Sequence, residues 1–108
     1  MGEHEHEGWL PGVGSVLDIG GDIGALILYT DERFLDSEIE VSPVGDDERR
    51  VHTAIHERRV GERVVFAGVY PELAAGTYRI WTDDPALPDR VTIVGGEVAE
   101  VDWRAAGD

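Results

Sequence analysis

The chain contains no cysteine, lysine, asparagine or glutamine. Without cysteine there is no disulfide, no thiolate metal site and no cysteine nucleophile. Without lysine there is no Schiff base, no P-loop and no lysine-based isopeptide crosslink. The nine Arg and Lys positions are all Arg and stand against 23 Asp and Glu, a formal net charge of −14. Phosphate contacts need clustered cations, so this balance argues against nucleic acid as a partner. It argues equally against docking on anionic lipid, and it is compatible with binding cations. Long apolar runs are missing as well. The longest, residues 23–29, is far too short to span a membrane. The start, Met1-Gly2-Glu3-His4-Glu5-His6, lacks a basic segment followed by an apolar one. It does not read as a signal peptide, and a cytoplasmic protein is expected.

What remains is 108 residues, 42% of them apolar. A chain of this size buries roughly two-thirds of its unfolded surface, enough for one core. Residues 1–12 read as an acidic, His-bearing arm, with Trp9-Leu10-Pro11-Gly12 breaking the pattern at its end. Residues 13–108 read as one domain. Short apolar runs there are separated by turn signals every 8–12 residues. This rhythm predicts an all-β fold, a single antiparallel sandwich of about seven to eight strands.

The expected strands are 15–19, 23–30, 38–42, 50–60, 63–70, 77–82, 90–94 and 98–103. Gly61-Glu62 fits a two-residue hairpin loop. The segments 31–36 and 84–87 each suit one helical turn. Residues 46–59 stay ambiguous: Asp46 or Asp47 could cap a helix, whereas Val51, Thr53 and Ile55 alternate as a strand does.

The run Val65-Phe66-Ala67-Gly68-Val69-Tyr70-Pro71-Glu72-Leu73-Ala74-Ala75-Gly76-Thr77-Tyr78-Arg79-Ile80 resembles a motif of transthyretin-like, or prealbumin-like, domains. These include the carboxypeptidase regulatory domain and the collagen-adhesin B-type domain. The resemblance implies that Leu73 plugs one end of the core, that Gly76 permits a tight turn, and that Tyr78 buries its ring and ties its hydroxyl to backbone. It implies a binding or accessory role. The family's internal isopeptide bond is out of reach, since the chain has neither Lys nor Asn. As a whole the chain is also similar to small actinobacterial proteins.

A second resemblance competes. Val16-Leu17-Asp18-Ile19-Gly20-Gly21-Asp22-Ile23-Gly24 is similar to the first motif of S-adenosylmethionine methyltransferases. Asp22 stands where that motif wants a central Gly, and the family needs alternating helices and a much longer domain. Gly20, Gly21 and Gly24 are therefore read as serving a tight β-turn.

The histidines carry the metal reading. In an extended chain His4 and His6 point the same way, with Cα atoms about 6.5–7 Å apart, a frequent half-site for Zn, Ni or Cu. His52 and His56 would lie about 13 Å apart on one strand, too far to share an ion, but either could join His4 and His6. A helix would instead place them one turn apart. The leading expectation is a non-enzymatic accessory or binding protein that holds a divalent metal ion through His4 and His6, with His52 or His56 as the third ligand. The alternative is a metal-free interaction module that meets a protein partner or a second copy through a sheet edge. A mononuclear metal enzyme and a degenerate S-adenosylmethionine-binding protein are the less favoured readings.

Overall fold

Alternation of apolar and polar residues resolves into eight strands in a computed structural model, which describes residues 19–104. They are β1 (Ile23–Thr30), β2 (Glu38–Pro43), β3 (Val51–Ala54), β4 (His56–Val60), β5 (Arg63–Ala74), β6 (Gly76–Ile80), β7 (Arg90–Ile93) and β8 (Val98–Asp102). One 3₁₀ turn, Glu32–Phe34, is the only helical element among the described residues. The expected arm and most of the expected strand 15–19 lie outside them. No helix among the described residues is long and apolar enough to cross a membrane.

The strands form two four-stranded sheets, ordered β4-β5-β1-β8 and β3-β2-β6-β7. The all-β sandwich expected from the turn rhythm is the fold. One detail differs: β8 runs parallel to β1, while the other ladders are antiparallel. Leu26 and Leu28 of β1, Ile39 and Val41 of β2, and Ile80 of β6 fill the space between the sheets. Trp103 closes one end, 1% exposed, with its indole N–H donating to Pro88 O at 2.8 Å.

Three segments differ from the alternation pattern, each for a physical reason. The span 50–60 is extended, not helical, but it is two strands in two sheets. Ile55 is the hinge: its N–H bonds Ser37 O and its carbonyl accepts from Asp36 N–H, both at 2.9 Å. Its fully buried side chain turns inward while the chain crosses from the second sheet to the first. Strand β5 runs beyond Tyr70 to Ala74, through a bulge where Leu26 pairs Tyr70 but Gly24 pairs Leu73. Pro71, which has no N–H to give a ladder, sits within that irregularity. Strand β6 stops at Ile80 because Trp81 leaves the ladder with β7, keeping one bond from its N–H to Glu40 O.

The local expectations around residue 76 hold. Leu73 is 3% exposed, Gly76 has φ 146° and Tyr78 donates its hydroxyl to Ala74 O at 2.8 Å. Of the methyltransferase-like signature only residues 19–24 are described, and they do not take that motif's strand-to-helix form. Gly20-Gly21-Asp22 makes a tight reversal, and a strand, not a helix, follows it.

Candidate functional site

Arg79 and Arg90 are the unusual pair on this surface. Tyr78 and Ile80 face the core, so the alternation of β6 turns Arg79 to the outer face of the second sheet. The β6–β7 register sets Arg90 directly opposite it. Like charges directly opposite on neighbouring strands destabilise a sheet, by about 0.2–1 kcal/mol. Neither side chain has a hydrogen bond or ion pair among the described residues.

Trp81 holds Arg79 in place. Its indole lies between two guanidiniums, Arg50 and Arg79, with each Cζ 3.8 Å from the ring centroid. Stacking of this kind contributes about 0.5–1 kcal/mol per contact at exposed sites. The indole N–H donates to Ser42 Oγ at 3.0 Å, and Ser42 is fully buried, which anchors the ring. Arg50 is satisfied by Glu40 at 2.9 Å and by Asp47 O at 2.9 Å. Arg79 thus keeps its N–H fork while its plane is fixed by the indole.

Beside this stack opens a cavity of about 520 Å³, floored by Arg79 and Arg90 and walled by the loop 44–48. Val44, 47% exposed, gives the wall an apolar patch. Asp46, Asp47 and Glu48 line the same cavity. Asp46 is itself paired with Arg49 at 3.9 Å. An oxyanion between Arg79 and Arg90 would relieve their repulsion and accept from both forks.

The sequence-derived candidates fall elsewhere. His4 and His6 lie outside the described residues. His52 pairs with Glu40 across β3 and β2, and its Nδ1 is 3.2 Å from Glu38 Oε1 on the outer face of the second sheet. His56 pairs with Ala67, which places it on the outer face of the first sheet. The turn at Ile55 has separated them. Among the described residues no group of three or more His, Asp or Glu side chains could hold a metal ion. Arg79, Arg90 and the Trp81 stack escaped the sequence reading. The alternation around Arg79 marks it as outward, but its partner Arg90 is visible only once the register is known.

No family model matches the chain, and neither a curated protein nor a solved structure matches it.

Proposed function

We propose that this chain is a non-enzymatic binding module that holds an oxyanion-bearing ligand, a carboxylate or a phosphate, in the cleft over Arg79 and Arg90. The unneutralised cross-strand arginine pair carries this reading. The Trp81 stack supports it, because a fork fixed in advance loses little entropy on binding. The transthyretin-like assignment belongs to the same proposal, supported by the local geometry of Leu73, Gly76 and Tyr78.

The test is an amide-resolved NMR titration of the full chain with inorganic phosphate and, separately, with succinate. Saturable shifts are expected at residues 77–79 and 90–92, and the tighter ligand names the oxyanion. Arg79→Gln and Arg90→Gln should each abolish saturation. Linear, non-saturating shifts that persist in both variants would remove the reading.

A metal-holding role is the second reading, and one observation favours it. His56 lies on the outer face of the first sheet, where Ile19 also packs and the first 18 residues join the domain. His4 and His6 would then share a Zn, Ni or Cu ion with His56, leaving His52 to Glu38. Elemental analysis of untagged protein should find a stoichiometric transition metal that the His4→Ala/His6→Ala variant loses. Metal-free protein after growth in zinc, nickel and copper would end it.

A further inference from the structure

The outer face of the first sheet differs from its counterpart. The second sheet shows arginines, threonines and glutamates outward. The first shows Ala25 and Ile27 of β1 with Ala67 and Val69 of β5, a cluster separate from the core. These four are 0%, 1%, 1% and 7% exposed, yet no described strand lies over them. The second sheet packs on the opposite face, against Leu26, Leu28, Tyr70 and Val101.

The path of the chain into β1 says what covers this face. Gly20 N–H donates to Ile23 O and Ile23 N–H to Gly20 O, both at 2.9 Å. The chain therefore reverses at Gly21 and Asp22, and what precedes Gly20 is aimed back along β1. A reversed segment would ordinarily pair with the strand it enters. Here both edges of β1 are taken, one by β5 and one by β8. The segment has to leave the plane of the sheet. One side is filled by the core. Ile19 marks the other side, because it packs against the Ala25, Ile27, Ala67 and Val69 cluster.

We propose that residues 9–18 of this same chain lie across the outer face of the first sheet and form a third layer of the domain. The segment has the composition for it: Trp9, Leu10, Val13, Val16 and Leu17 are apolar. It also has the length. At about 3.3 Å per residue, its ten residues would reach about 33 Å if extended, against about 26 Å for the eight residues of β1. Ala25 and Ala67 are small, which lets a crossing backbone come close. A tethered segment has a high effective concentration at this face, and a second copy would have to seat past the chain already entering at Ile19. This inference is independent of the Arg79–Arg90 cleft.

The absence of native cysteine makes the test direct. Ser15→Cys in the full chain would carry a nitroxide label, with Gly12→Cys as a second attachment point should the first disturb folding. NMR signals of Ala25, Ile27, Ala67 and Val69 should broaden strongly, and those of Thr77, Arg79 and Thr92 on the far sheet should be spared. Broadening without this gradient in both labelled variants overturns the proposal. So does broadening that survives when isotope and spin label sit on different molecules, because the occupant is then a second copy.

Discussion

Gly24 shows how a single residue is fixed by contacts far along the chain. It lies inside β1, and a Cβ there would meet Val94 O at 2.5 Å, Ile93 Cγ2 at 2.8 Å and Glu97 O at 2.9 Å. Backbone carbonyls cannot move aside as a flexible side chain can. Gly24→Ala should destabilise the fold by about 1–3 kcal/mol, read as a lowered urea midpoint. An unchanged midpoint would mean that the connection from β7 to β8 gives way freely. The turn reading of Gly20 and Gly21 survives, while Gly24 serves close packing, a role its sequence neighbours do not reveal. Gly76 and Tyr78 were readable because their partners lie within a few residues; Gly24 was not, because its neighbours lie some 70 positions on. The tyrosines make a second residue-scale prediction. Burial first, and then the charge of Glu40, raises the Tyr70 pKa well above the usual phenol range, while its hydroxyl donates to Ile39 O at 2.7 Å. Burial also raises Tyr29 and Tyr78. A folded pKa above the unfolded one holds the proton in the native state, so stability is full below about pH 10 and falls as pH climbs past it. With no lysine or cysteine, tyrosines are the side chains that titrate there. Urea midpoints should hold to about pH 9 and fall by about pH 11, with a shallower fall in Tyr70→Phe. A midpoint that rises with pH would contradict the assignment.

Elements are set by their ends. Strand existence was legible from alternation: Glu38 to Val41 and Glu100 to Trp103 alternate between more exposed and buried positions as their sequence pattern requires. The division of 50–60 was not legible, since Ile55 continues the 51–53–55 spacing and nothing local announces a change of sheet. The signal sits in partners. Ile55 bonds to the loop at Asp36 and Ser37, and Asp36 adopts a left-handed φ of 69° to present its N–H. Ile55 also lies over Gly68, where an added Cβ would come 3.0 Å from its Cδ1. Its side chain is the wedge between the two sheets at the crossing. Ile55→Ala should cost about 2–5 kcal/mol by cavity formation. Hydrogen exchange should show β3 and β4 losing protection together. Loss confined to one of them would mean that the hinge does not couple the sheets.

At the scale of the molecule, charge is the dominant imbalance. A net −14 on 108 residues places like charges within a Debye length of one another across the surface. The ion pairs seen, Arg33–Asp31, Arg50–Glu40 and Arg104–Asp102 among them, are exposed or half-exposed and contribute little each. Repulsion should therefore outweigh pairing, and the melting temperature should rise as NaCl goes from about 10 mM to about 300 mM. A falling melting temperature would mean that the pairs dominate. The acidic excess was plain in the composition. Its arrangement, with Arg50, Arg79 and Arg90 gathered on one face, was not, because the β6–β7 register sets Arg90 beside Arg79 and the Trp81 ring joins Arg50 to Arg79.

The parallel ladder between β1 and β8 has a consequence for biosynthesis. β1 leaves the ribosome before the other described strands, but its second edge stays open until Val98–Asp102 have been translated and released from the exit tunnel. Until then Leu28 lacks Val101 beside it, and the end closed by Trp103 is open. The nascent polypeptide cannot fold piecemeal from its front end. It must wait, partly exposed, for its closing strand, and the first sheet is complete only once Val98–Asp102 have emerged.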